Sequence, residues 1–194
     1  MLEKVREIIA DSILVKQAIL GNEALMSNIV KVSDVCTIAL KANKKLLLCG
    51  NGGSAADAQH IAAELTGRFL MDREPLNAEA LNVNSSYITS VSNDYGFEEV
   101  YSRLVKAKGQ QGDVLIGIST SGNSQNILLA LKEARLKGMI TVGLTGLTGG
   151  KMNALCDIMI NIPSTETPRI QESHITFGHI ICELIEANMN KTVI

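Results

Sequence analysis

Apolar residues return every three or four positions from Leu2 to Leu20 (Val5, Ile8, Ile9, Ile13, Leu14). They do so again from Asn22 to Ala42 (Leu25, Ile29, Val32, Cys36, Ala39, Leu40). This is the helical period, so two amphipathic helices are expected, separated near Gly21. The apolar run Leu46-Leu47-Leu48-Cys49 then stops at Gly50-Asn51-Gly52-Gly53 and passes into an alanine-rich segment ending near Glu64, the pattern of a strand, a turn and a helix. Farther on, the pattern predicts strands over Ala78–Val83, Val114–Ile118, Ile140–Leu144 and Ile158–Ile162. Helices are expected over Ser86–Ser92, Phe97–Lys106 and Gln125–Lys137, and a last one from Arg169 to about Met189. A turn is expected at Asn93–Gly96, a glycine-rich loop at Thr145–Gly150, and a loop bracketed by Pro163 and Pro168.

Short apolar strands separated by helices point to an α/β fold: an open, doubly wound parallel sheet with helices on both faces, preceded by two N-terminal helices. No repeat, low-complexity tract or linker divides the chain, so one domain over 1–194 is expected. The helical pair of residues 1–42 has no strand of its own. Its apolar faces rest either on the domain's own sheet or, as an oligomer interface, on another subunit. Ligands of such sheets bind outside the carboxyl ends of the strands, which directs attention to the turns at Asn51 and Ser119.

Composition narrows the partners. Hydrophobic residues are 46% of the chain, charged ones 20%, and Trp is absent, so the core is aliphatic. A net charge of −2 without any basic cluster gives no electrostatic case for nucleic acid. Glu3, Lys4, Arg6, Glu7 and Asp11 interrupt the first helix, which therefore reads neither as a signal peptide nor as a membrane span, and a cytoplasmic location is expected. Cys36, Cys49, Cys156 and Cys182 are widely spaced in apolar surroundings and read as reduced core thiols.

Ser119-Thr120-Ser121-Gly122-Asn123-Ser124 places four hydroxyls where a helix begins, a phosphate-binding composition that exceeds what one helix cap needs. His60 and Glu64 stand four residues apart on one helix, suited either to holding a metal ion or to a plain surface hydrogen bond. The last helix carries Gln171, Glu172, His174, His179 and Glu183. By helical spacing alone, His174 lies slightly closer than His179 to the direction of Gln171.

In this order, Cys49-Gly50-Asn51-Gly52-Gly53-Ser54-Ala55-Ala56-Asp57-Ala58-Gln59-His60, Ser119-Thr120-Ser121-Gly122-Asn123-Ser124 and Thr167-Pro168-Arg169-Ile170-Gln171-Glu172-Ser173-His174 resemble the phosphoheptose isomerases, a sugar isomerase (SIS) domain family. The likeness spans nearly the whole chain. It implies an aldose–ketose isomerase that converts sedoheptulose 7-phosphate to D-glycero-D-manno-heptose 7-phosphate through an enediol, the first step of ADP- or GDP-heptose precursor synthesis for lipopolysaccharide or capsule. It further implies a zinc ion held by His60, Glu64, Gln171 and His179, with Glu64 and His179 as the acid/base pair. Asn51, Gly52, Gly53, Glu64, Asn93, Asp94, Ser119, Thr120, Ser121, Ser124 and Gln171 would bind the sugar phosphate, and the chain would assemble as a homotetramer whose final helix completes a neighbour's site. Because a carboxylate on zinc is a weak base, the division of proton transfer between Glu64 and His179 stays open. Asp57 is a candidate for helping to open the sugar ring. Asn84 departs from the aspartate expected there in relatives. The alternative is a non-catalytic SIS-domain protein that binds a replication initiator or senses a sugar phosphate. The initiator-binding relative lacks the carboxylate at the position of Glu64 and the small hydroxyl at that of Ser121, both of which this chain keeps.

Overall fold

The computed structural model describes residues 1–190; residues 191–194 of the expected domain lie outside the described residues. The chain opens with α1 (Leu2–Leu20) and α2 (Glu23–Lys41), whose start Asn22 caps by accepting from the Leu25 amide. The alternating part follows: β1 (Leu46–Gly50), α3 (Gly53–Thr66), β2 (Ala78–Ala80), α4 (Ser85–Tyr95) and α5 (Val100–Lys108). Then come β3 (Val114–Ile118), α6 (Gln125–Leu136), β4 (Ile140–Thr145), β5 (Ile158–Asn161) and α7 (Thr167–Met189).

The five strands form one sheet in the order β2-β1-β3-β4-β5, every neighbouring pair parallel. Successive residues face opposite sides. Leu46, Leu48, Val114, Ile116, Ile118, Val142 and Leu144 meet α2, α3 and α7 on one face. Leu47, Cys49 and Leu115 meet α5 and α6 on the other. Both faces are covered, which is why the strands read as unbroken apolar runs. The chain leaves β1 for β2 through α3 on one face and reaches β3 and β4 through α4 to α6 on the other, so the carboxyl ends of β1 and β3 flank the crevice where the order reverses.

Several expectations are corrected. The strand expected over Ala78–Val83 ends at Ala80, because Asn82 turns away to donate to the Ala55 carbonyl and the next helix starts at once. The turn expected at Asn93–Gly96 is helical through Tyr95 and stops only at Gly96, whose φ of 98° favours glycine. The helix expected from Phe97 begins as a 3₁₀ turn over Phe97–Glu99, and a second 3₁₀ turn, Gly150–Ala154, follows the glycine-rich loop. Pro168 lies inside the first turn of α7 rather than before it, where its missing N–H costs nothing. Asn84 caps α4 by accepting from the Tyr87 amide, a task an aspartate performs equally well. Cys36, Cys49 and Cys182 are buried and free, whereas Cys156 is half-buried.

The leading helices part company. α2 buries Leu25, Ile29, Val32, Cys36, Ala39 and Leu40 on the domain's own sheet and α7. α1 buries only Ile19 and leaves Leu2, Val5, Ile9, Ile13 and Leu14 more than half exposed. Polar contacts tie it to the start of α7: Arg169 donates to the Ile8 carbonyl, Ser12 to the Glu172 carboxylate and Lys16 to the Glu172 carbonyl.

His174 lies in the core beneath α7, its Nε2 3.2 Å from the Thr145 carbonyl and its buried Nδ1 without a partner. Burial depresses its pKa to about 4, the Thr145 bond opposing only in part. A folded pKa below the unfolded one means that the unfolded chain takes up the proton first. Stability is therefore full above about pH 6.5 and is lost as the pH falls toward 4. Urea unfolding at pH 7 and pH 4.5 is expected to show the parent chain losing about 2–3 kcal/mol more than His174→Asn over that interval. Equal losses would contradict the assignment.

Candidate functional site

The crevice at the sheet's reversal is built from two turns. After β1, Gly52 takes φ 55° and ψ −122°, a conformation that a side chain resists, and from it α3 begins. The Asn51 and Asn126 amides exchange two hydrogen bonds of 2.9 Å, and the Tyr101 hydroxyl donates to the Gly50 carbonyl at 2.6 Å. The amide pair fixes the glycine turn to the first turn of α6, and the tyrosine bond ties the end of β1 to α5. Asn126 and Tyr101 were not singled out from the sequence, since their partners lie 75 and 51 residues away.

After β3, the hydroxyls of Ser119 and Ser124 lie 2.9 Å apart and those of Ser119 and Ser121 3.5 Å apart. Ser124 holds the N-cap position of α6 but makes no capping bond; its hydroxyl turns to Ser119. The plain capping role is therefore not the one it plays, and the hydroxyls converge beside the positive end of a helix. An open cleft of ≈300 Å³ is lined by Asn51, Phe97, Glu98, Ser124, Gln125 and Asn126, so both turns meet one space. Thr120 is half-buried and lends its carbonyl to the Gly146 amide. Asn93 and Asp94 are exposed at the end of α4, the first donating to the second at 2.9 Å.

A second cluster lies down α3, between it and α7. His60 Nε2 is 2.9 Å from the Glu64 carboxylate and 3.4 Å from His179 Nε2, and donor atoms of all three lie within 4.8 Å of one another. The Phe69 ring stacks on the His179 imidazole at 5.5 Å and 22°. Two imidazoles and a carboxylate suit a divalent metal. The 3.4 Å between imidazole nitrogens is about what they keep when each binds one tetrahedral zinc at roughly 2.0–2.1 Å.

The structure thus joins His179, not His174, to His60 and Glu64: the lean of helical spacing toward His174 is overturned because that face of α7 points into the core. Gln171 stands apart from the trio. Its amide rests on Gly53, where a Cβ would come within 2.4 Å of it, and Gly53 precedes His60 by seven residues, about 10 Å along the helix. Asp57 is half-buried one turn before His60. Burial raises its pKa against the pull of His60, and one of its oxygens is buried without a hydrogen bond.

Residues 5–146 match the SIS domain family. The chain is 53% identical over 186 residues to the phosphoheptose isomerase of Aneurinibacillus thermoaerophilus, covering 96% of this chain and 94% of that one. Among solved structures it is similar to a phosphoheptose isomerase from Neisseria gonorrhoeae, with 43% identity, a TM-score of 0.90 and coverage of 96% and 98%. It is likewise similar to one from Francisella tularensis, with 36% identity, a TM-score of 0.92 and the same coverage.

The trio is tested by metal binding. Zinc added to metal-stripped protein at about a hundredfold over its Kd is expected to raise Tm by about 5–10 °C, and His60→Ala to abolish the rise while His174→Asn keeps it. An equal rise in His60→Ala would exclude the trio as the site.

Proposed function

The chain belongs to the SIS domain family and, within it, to the phosphoheptose isomerases, and on that footing we propose how its residues isomerise sedoheptulose 7-phosphate to D-glycero-D-manno-heptose 7-phosphate. It is an aldose–ketose isomerase. The observation that carries the assignment of roles is the meeting of His60 and Glu64, on the helix that begins at the glycine turn, with His179 of α7.

Ser119, Thr120, Ser121 and Ser124, with the N-terminal amides of α6, take the phosphate. Asn51, Gly52, Gly53 and Gln171 face the sugar, with Asn93 and Asp94 at the end of α4 bordering it. Isomerisation needs a proton removed from the carbon beside the carbonyl and one delivered to the neighbouring carbon. Glu64 and His179 are the acid/base pair. The Glu64 carboxylate accepts and returns the proton, and the His179 imidazole, held flat against Phe69, serves the substrate oxygens. His60, Glu64 and His179 would hold zinc; Gln171, the fourth donor that the resemblance implies, lies about two turns away at Gly53 and does not reach the same ion within one chain. When bound, zinc supplies Lewis-acid polarisation of the substrate oxygens.

The apolar stripe on α1 supports self-association, which we read as a homotetramer of single SIS domains with residues 1–42 at the interface and the final helix completing a neighbour's site. The free thiols fit a reducing, cytoplasmic location.

Purified protein with zinc is expected to convert sedoheptulose 7-phosphate to the heptose 7-phosphate. Glu64→Gln should lower kcat by about 10²–10⁴, whereas Ser124→Ala should act mainly on KM. No conversion by the parent chain, or an undiminished rate in Glu64→Gln, would refute the assignment.

A further inference from the structure

The segment between α3 and β2 has no regular structure, yet it is tied down at one point. Glu186, 1% exposed on α7, accepts from three successive amides: Phe69 at 3.0 Å, Leu70 at 2.9 Å and Met71 at 3.1 Å. The Arg73 guanidinium pairs with the same carboxylate at 2.9 Å. Burial works to raise the pKa of Glu186, but the three amides and Arg73 outweigh it and hold the carboxyl below its ordinary value.

Arg73 is itself almost fully engaged. It donates to the carbonyl of Glu64 at 2.9 Å and to that of Leu65 at 2.8 Å, the orphan acceptors at the end of α3, and to those of Gly67 and Glu74. A buried ion pair is a weak source of stability, because desolvation offsets most of the attraction. What this pair does supply is geometry. Glu186 and His179 are seven residues apart, two turns on one face of α7. The segment that Glu186 gathers lays the Phe69 ring back onto His179, and the arginine it fixes grips the carbonyl of Glu64.

We infer that Glu186, which touches no reacting atom, is a positioning residue for the isomerisation: through the 69–71 amides it sets the Phe69 ring that orients His179, and through Arg73 it sets the end of α3 that carries Glu64. The inference rests on the acid/base roles proposed above. No motif marks it, since the anchor lies more than a hundred residues from the segment it holds.

The test compares Glu186→Gln, Phe69→Leu and their double variant with the parent enzyme, and adds Val105→Ala, in the core of the opposite face, as a destabilised control. Each single variant is expected to lower kcat about tenfold with KM little changed, and the double variant to fall no further than the worse single one. Val105→Ala should lose Tm and keep its kcat. The His179 ring-proton NMR signals, displaced by the Phe69 ring, should move in Glu186→Gln toward their positions in Phe69→Leu, while those of His174 stay put. Should Glu186→Gln not fold, Arg73→Lys, which keeps the charge but not the fan of carbonyl contacts, carries the same expectations. Full kcat in Glu186→Gln, losses that multiply in the double variant, or unmoved His179 signals would overturn the inference. An inactive Glu64→Gln beside a fully active Glu186→Gln would sink this inference alone. An active Glu64→Gln would sink the acid/base reading, and the NMR comparison would still decide whether Glu186 sets the His179 ring.

Discussion

The site depends on how closely α3 and α7 lie side by side. A Cβ on Gly178 would come within 2.7 Å of the Ile61 side chain, and one on Gly53 within 2.4 Å of the Gln171 amide. Glycine inside a helix costs about 1 kcal/mol relative to alanine, so Gly178 is kept at the expense of the helix that contains it. The return is proximity: His179, the residue after Gly178, meets His60, the residue before Ile61. Ile61 is buried in this seam, contributing about 1.5–3 kcal/mol of apolar burial to holding it closed.

The sheet order gives this seam its second function. Because the strand order reverses between β1 and β3, the helix that carries His60 and Glu64 begins at the crevice where the Ser119 turn also opens. The reciprocal Asn51–Asn126 amides lock those two turns together, and the Tyr101 bond to Gly50 ties the end of β1 to α5. In the proposed reading, anion binding and proton transfer fall to different parts of the molecule: backbone amides and hydroxyls at the strand ends, and imidazoles and a carboxylate between helices. α3 is the rigid element common to both, and Glu186 with Arg73 secures its far end.

Most of the architecture was legible because periodicity and burial speak locally. The two leading helices, the five strands and the glycine and serine turns all follow from apolar spacing and turn chemistry. The errors fall where a tertiary partner decides. Asn93 and Asp94 look like a turn in isolation, yet the helix uses Gly96 as its stop. Spacing along α7 gives angles between residues, not which face meets α3, so it leaned toward His174, a residue whose surroundings keep it neutral in the core. Resemblance to the phosphoheptose isomerases supplied His179, and the packing of Ile61 on Gly178 supplies the reason. Asn126, Tyr101, Phe69, Arg73 and Glu186 carried no signal at all, because each acts through a partner far away in sequence.

The central claim, that close α3–α7 packing assembles the reacting groups, is most directly tested by the isomerase rate of Gly178→Ala. Alanine is the better helix former, so helix propensity alone predicts a protein at least as stable and as active as the parent. The packing account predicts the opposite: a Cβ forces Ile61 aside, His179 moves away from His60 and Glu64, and kcat falls by about tenfold or more. An alanine variant with full rate and an unchanged or raised Tm would contradict it.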